Sequence, residues 1–199
     1  MSTSRRKTSR RAGFTLLELI IVMAIMGATV LVVPSMAAWQ RQLTVNNAVR
    51  TVAMDMRLAR SLAVDGNYDV IVTFNLETHT YSIYKDAERN GPDLYDLYKT
   101  VELSAIGPGL QYGSASHTDL LGNPLGLPVQ MNGTSDPIHV TFKSNGAALD
   151  AGTIYLSTSQ DMSAMATQRD RAVNIHGTGN VKMLRFDGGN LDGPWLEFR

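Results

Sequence analysis

The sequence predicts an α+β protein: one long N-terminal helix followed by a run of short antiparallel strands. Three observations carry this. An apolar stretch of twenty residues, Phe14 to Val33, contains a single ionisable side chain, Glu18. Beyond it, Val45, Ala48, Val49, Val52, Met56, Ala59 and Ala63 recur at spacings of three and four, the mark of one apolar helical face. After Gly66 the pattern changes to short alternating runs separated by turn residues, which reads as antiparallel β-structure.

The chain opens with MSTSRRKTSRRAG, which holds five basic residues and no acid. The apolar stretch that follows has a length of roughly 30 Å as a helix, the thickness of one bilayer core. With the cationic flank retained in the cytoplasm, everything after Pro34 is expected across the membrane. The expected organisation is residues 1–13 as a removable basic leader and 14–34 as a transmembrane helix. Residues 35–65 form an amphipathic helix, and 66–199 a β-rich domain. Arg41, Arg50, Arg57 and Arg60 fall off the apolar stripe. Asp65–Gly66 supplies a stop, with Gly66 taking the left-handed conformation. A helix from Phe14 to Val64 has a length of about 75 Å, with bends expected near Gly27 and Pro34.

A secretory signal peptide is the competing reading of the N terminus. Its cleavage would follow the apolar run, at Ala37–Ala38, but this run is long and continues into a helical pattern without a break.

Tyr68–Asn75 and His79–Lys85 read as a hairpin, Asp86–Asp96 as a loop and Tyr98–Leu103 as a strand. Residues 105–137 look irregular, with one short strand at Leu110–Tyr112. Ile138–Lys143, Thr153–Ser157, Ala172–His176 and Val181–Phe186 form a second strand set. Gly177–Asn180 is the turn between the last two, and Met162–Gln168 a polar surface excursion.

The total formal charge is zero, yet the leader takes five of the 18 basic residues and none of the 18 acids. The remainder carries a net charge of −5, which does not suit a general polyanion binder. There is no cysteine, which excludes disulfides and thiolate metal sites. His79, His117, His139 and His176 are scattered without paired spacing. No G-x-S-x-G elbow, P-loop or H-E-x-x-H motif occurs. Gly107–Pro108–Gly109 and Gly177–Thr178–Gly179 are turns. Asp187, Asn190 and Asp192 are the best calcium candidates, but their spacing misses the EF-hand rule. No catalytic residue, metal or cofactor is expected, and the chain is read as a non-enzyme.

Glu18 resists a bland account. An ionised carboxylate within a membrane segment costs about 2.5–3.5 kcal/mol or more, so a compensating positive charge is expected. Cleavage between Gly13 and Phe14 would create one, the α-amino group of Phe14, on a neighbouring copy.

Gly13, Phe14 and Glu18, at this spacing before a long apolar run, resemble the type IV prepilin family, which includes pilins and the pseudopilins of type II secretion. The resemblance implies cleavage after Gly13 by prepilin peptidase, methylation of the Phe14 amino group and a role for Glu18 in assembly. Gly27 and Pro34 resemble the family's helix-loosening residues, Pro34 one place off the usual spacing. Residues 57–72 (RLARSLAVDGNYDVIV) and the blocks IHVTFKSNGAA, TIYLS and RAVNIHGTGNVK resemble the GspH/FimT-type minor pilins. That resemblance implies a pilin fold, with a β-sandwich-like pair of antiparallel sheets packed on the second half of the helix. It also implies the partners: prepilin peptidase, other pseudopilins or pilins, an inner-membrane assembly platform and membrane lipid. The inner membrane is the implied location, with the C-terminal domain periplasmic. The leading reading is a minor pseudopilin of a type II secretion pseudopilus. The alternative is a FimT-like minor type IV pilin that binds DNA through a basic G-R-x-R motif. Here the matching place reads Gly179–Asn180–Val181–Lys182, with Arg185 following. The first arginine is absent, which leaves Lys182, Arg185 and Arg199 as a small candidate patch.

Overall fold

The computed structural model describes residues 14–86, 95–133, 137–188 and 194–198, with side chains of 30–35 left aside. The chain divides at Gln40–Arg41 into two units. Helix α1 (Leu16–Gly66) runs as one assigned helix through Gly27 and Pro34. In its first unit every described side chain from Phe14 to Thr29 is exposed. Among the described residues no helix is long and apolar enough to cross a membrane. Described side chains in this part of α1 end at Thr29 and resume at Met36.

In the second unit the stripe predicted from spacing is the core. Val45, Ala48, Val49, Val52, Met56, Ala59 and Ala63 are all fully buried, joined by Ala53. The helix ends in a Schellman arrangement. Tyr68 N donates to Ala63 O at 3.3 Å and Asn67 N to Val64 O at 3.4 Å, which satisfies two of the last carbonyls. The left-handed residue is Asn67, at φ 51°, one place beyond the Gly66 expected from sequence. A glycine at 66 has a packing reason instead: a Cβ there would lie 2.0 Å from the Tyr68 ring.

Two antiparallel sheets follow. The first has the order β3–β2–β1–β6–β7, from β1 (Val70–Asn75), β2 (Thr80–Lys85), β3 (Asp96–Glu102), β6 (Ile138–Phe142) and β7 (Ala148–Leu149). The second has the order β11–β10–β9–β8–β4, from β4 (Leu110–Tyr112), β8 (Gly152–Thr158), β9 (Arg171–Ile175), β10 (Val181–Phe186) and β11 (Trp195–Phe198). A further strand, β5 (Val129–Met131), pairs with β8. One apolar cluster unites the helix stripe with Val70, Val72, Ile83 and Val140 of the first sheet and Ile154, Leu156, Val173 and Ile175 of the second. Period-2 alternation puts those residues on the helix-facing side of each strand.

The expected strands are present within two residues at either end, but several details differ. Asp96 and Leu97, expected at the loop boundary, already belong to β3. Leu103, expected as the strand's end, starts the helical turn α2 (Leu103–Ile106) instead. Its N–H donates to His79 O at 3.0 Å and its side chain is fully buried. Residues 105–137 contain β5 as well as β4, and much of the remainder is ordered by one carboxylate. Asp170, completely buried, accepts from Ser114 Oγ (2.8 Å), Ala115 N (3.0 Å) and Ser116 N (2.8 Å). The segment after these serines packs Leu120 and Leu125 onto the far face of the second sheet, against Tyr155, Ala172, Leu184 and Trp195. The Trp195 indole N–H donates to Asp119 O at 3.0 Å. The surface excursion is also built: Thr158 caps α3 (Ser159–Ser163), and buried Asp161 pairs with Arg169 at 2.5 Å.

A buried carboxylate ties the first sheet to α1. Asp55 accepts from the Tyr81 hydroxyl at 2.6 Å and from Lys99 Nζ at 2.7 and 2.8 Å. Charge-assisted bonds of this kind offset the desolvation of the acid, and removing either partner leaves a buried group unsatisfied. Burial, and then the bond to Asp55, raises the Tyr81 hydroxyl far above the ordinary tyrosine range. Burial likewise raises Tyr112, and pushes Tyr155 up to about 12. A folded-state pKa above the unfolded value gives stability that is complete below about pH 10 and lost as pH rises beyond it. A phenolate absorbance titration should therefore show Tyr81, Tyr112 and Tyr155 still protonated at pH 10, ionising only with alkaline unfolding. Ionisation of all seven tyrosines near pH 10, with native circular dichroism retained, would contradict this packing.

Candidate functional site

The first turn of α1 brings Phe14, Thr15 and Glu18 together. Thr15 Oγ1 accepts the Glu18 backbone N–H at 3.2 Å, and Thr15 O accepts that of Leu19 at 3.2 Å. Thr15 is therefore the N-cap and Glu18 the third helical residue, the T-x-x-E spacing of a capping box. That spacing is visible in the sequence and was not used there. It gives the carboxylate a local reason to exist, because a negative charge in the first turn meets the positive end of the helix dipole, worth about 0.3–1 kcal/mol. This is less than the cost of holding an ionised acid in lipid, so the cap compensates only part of it.

Around this cap everything is apolar and uncovered. Phe14 is 83% exposed and Met23 67%, with Leu16, Leu17, Leu19, Ile20, Ile21, Val22, Ile25 and Met26 also exposed. A helix apolar on all sides is one that is buried by something outside itself. Nothing lies within 4 Å of a Cβ built on Gly27, so no neighbour within the chain requires glycine there. Gly13 lies outside the described residues.

The candidate DNA contacts do not converge. Lys182 and Arg185 are three residues apart on β10, and an odd spacing puts them on opposite faces of the sheet. Lys182 Nζ is paired with Glu197 at 2.8 Å. Arg185 is exposed and stands opposite Arg171 in the β9–β10 ladder. Arg199 lies outside the described residues.

The histidines remain separate. His79 packs edge-on against Tyr112 at 5.9 Å, and His139 Nδ1 lies 2.9 Å from Pro137 O. His117 has φ 50°, and His176 is exposed at the β9–β10 turn. Of the calcium candidates Asp187 is exposed, while Asn190 and Asp192 lie outside the described residues. Among the described residues no three His, Cys, Asp or Glu side chains form a group that could hold a metal. Among the described residues the open surface cavities include two sizeable ones. One, of about 550 Å³, is lined by Thr73, Ser82 and Tyr84, and the other, of about 470 Å³, by Thr153, Asn174 and His176. Neither gathers an acid, a base and a nucleophile.

The Gly146 and Gly177–Gly179 turns, which carried the resemblance to minor pilins, meet under one arginine of α1. Arg60 Nε donates to Gly146 O at 2.9 Å, and its guanidinium also reaches Thr178 O at 3.4 Å. Gly146 and Gly179 have φ of 80° and 75°. A Cβ on Gly179 would lie 2.0 Å from Gly146 O. Ala148 N closes the junction by donating to Gly177 O at 3.0 Å. One turn from each sheet is thus fixed to the helix at a single point. Arg57 adds a bond to Val181 O at 3.0 Å. The sequence showed both arginines off the apolar stripe but not that strand carbonyls face them.

Comparison with known proteins agrees with this anatomy. Residues 8–33 match the model of the prokaryotic N-terminal methylation motif, and residues 48–179 that of type II transport protein GspH. No curated protein matches the chain. Among solved structures, two of the minor pseudopilin EpsH from the type 2 secretion system of Vibrio cholerae are similar. The first is 13% identical, with a TM-score of 0.47, covering 71% of this chain and 95% of that one. The second is 14% identical, with a TM-score of 0.46, covering 69% and 90%.

The two family matches define a pilin-like subunit with a methylation-type N terminus. The chain belongs to the GspH family of type II transport proteins. It is a minor pseudopilin of type II secretion, and its N-terminal motif is the kind that prepilin peptidase processes.

Arg60→Ala should lower unfolding stability by about 1.5–3 kcal/mol, the range for hydrogen bonds to a charged group. Denaturant unfolding of the full chain measures it. Arg60→Lys should recover less than half, since one ammonium lacks the fork that reaches both turns. Full recovery by lysine would contradict the two-turn clamp.

Proposed function

We propose that the subunit works by assembly rather than by catalysis. Prepilin peptidase removes residues 1–13, and the new amino group of Phe14 is methylated. The 14–34 segment then holds the subunit in the inner membrane, with residues 66–199 in the periplasm. An assembly platform draws the processed subunit out of the lipid into a short filament with other pseudopilins. There the apolar helices exchange lipid contacts for one another, and growth of the filament helps drive protein export.

The single observation that carries this reading is the exposed apolar first part of α1, with one acid at its capped end. Its described apolar side chains are uncovered, so lipid and neighbouring helices are the surfaces that fit them. Glu18 exceeds what its own cap compensates, and the Phe14 amino group of a neighbour supplies the missing charge. Pairing of the two sets the axial register between subunits. The five basic residues of the leader fix the orientation before cleavage.

The DNA-binding reading is less well supported. Lys182 is occupied by Glu197, Arg185 lies on the other face of the sheet, and fewer free cations neutralise fewer phosphates.

Gly13→Leu should accumulate as the larger, uncleaved chain on a gel of host membranes; normal processing would remove the peptidase step from the account. Glu18→Val should be cleaved normally yet enter filaments poorly. Wild-type incorporation of that variant into sheared pseudopili would overturn the charge-pairing role.

A further inference from the structure

The flank of α1 beside β9 and β10 carries a row of arginines that, among the described residues, make no ion pair with a carboxylate. Asn46, Arg50, Ala53 and Arg57 follow one another at spacings of four, three and four, and so lie along one side of the helix. Both ends of that side are tied to the second sheet. Arg171 Nε donates to Asn46 Oδ1 at 2.8 Å, and Arg57 donates to Val181 O at 3.0 Å. Arg50 lies between these two contacts, exposed. Arg185 is the cross-strand partner of Arg171. Arg171 is buried, and its remaining bonds go to the carbonyls of Gln168 and Asp170, which are neutral acceptors. Its guanidinium lies 5.6 Å from the Phe198 ring. Burial first, and the neighbouring Arg185 second, lower the pKa of Arg171, and the nearby Asp170 carboxylate opposes them without cancelling their effect.

Five other described cations of the domain are paired with acids. Arg41 and Arg169 pair with Asp161, Lys99 with Asp55, Lys143 with Asp69 and Lys182 with Glu197. Unpaired cations crowded on one flank, in a chain of net charge −5 once the leader is gone, mark a place where opposite charge is brought from outside.

We infer that the Arg50–Arg57–Arg185 flank, with Arg171 beneath it, is a docking surface for an acidic face of a neighbouring pilin-type subunit. The proposal rests on the assembly reading above. Exposed acids on this chain show the kind of surface that fits: Glu77 in the β1–β2 turn, and Asp96 and Glu102 on the edge strand β3. A positive flank on one subunit meeting an acidic edge on the next is a heterologous contact, the type that extends a filament instead of closing a ring.

The test uses the full chain in its native host. The chain has no cysteine, so Met54→Cys, an exposed position between Arg50 and Arg57, carries a unique photo-crosslinker. Crosslinking to a co-expressed pilin-type subunit should fall at least about tenfold in Arg50→Glu/Arg185→Glu and persist in Arg50→Lys/Arg185→Lys. N-terminal processing should be unchanged in both. A cleaved charge-reversed chain that crosslinks like the parent overturns the docking surface alone. So does a gel shift of duplex DNA by the detergent-solubilised chain that is lost on charge reversal, since it assigns the flank to phosphates. An uncleaved parent chain overturns the assembly reading and the docking surface with it.

Discussion

A carboxylate set among uncovered apolar side chains is the constraint on which the rest of the molecule depends. Glu18 sits in the first turn of a helix whose described neighbours are Leu, Ile, Val and Met, all exposed. The Thr15 cap and the helix dipole contribute at most about a third of what an ionised acid costs in lipid. The remainder needs a cation, and on the proposed reading cleavage before Phe14 would generate one where a neighbouring helix presents it. The proposed membrane residence, processing and assembly all turn on that one imbalance.

The second part of the chain answers a different requirement, a rigid domain carried on the same helix. Buried stripe residues from Val45 to Ala63 join the inner faces of both sheets in one core. Three polar devices then fix the sheets in place: Asp55 with Tyr81 and Lys99, Asp170 with the Ser114–Ser116 backbone, and Arg60 over the two glycine turns. Each satisfies a buried polar group completely or nearly so, which is the condition under which such groups hold a fold together instead of weakening it. Without disulfides, these contacts and the shared core are what keep the sheets on the helix.

Much of this was legible from the residues. Three-and-four spacing identified the buried stripe, and alternation located β1, β2, β6, β8, β9 and β10 because each has at least five residues. Length explains most of what was missed. β5, β7 and β11 have two to four residues, too few to show a period. The 113–125 segment is shaped by local side-chain bonds to Asp119 and by bonds to Asp170, which is distant in sequence. Gly66 looked like the left-handed cap, yet Asn67 takes that conformation, and the glycine at 66 instead leaves room for the Tyr68 ring. At the functional end the family resemblance was legible because its signal is local, and the N-terminal methylation motif matches over residues 8–33. The arginine flank was not visible, because its members come from a helix and a strand more than a hundred residues apart.

The central claim is tested most directly by the mass of the N-terminal peptide of protein purified from native membranes. The account requires a chain beginning at Phe14 and carrying one methyl group on its amino nitrogen. A chain that keeps Met1, or one cut beyond Val33, would leave Glu18 without its cation and contradict the account.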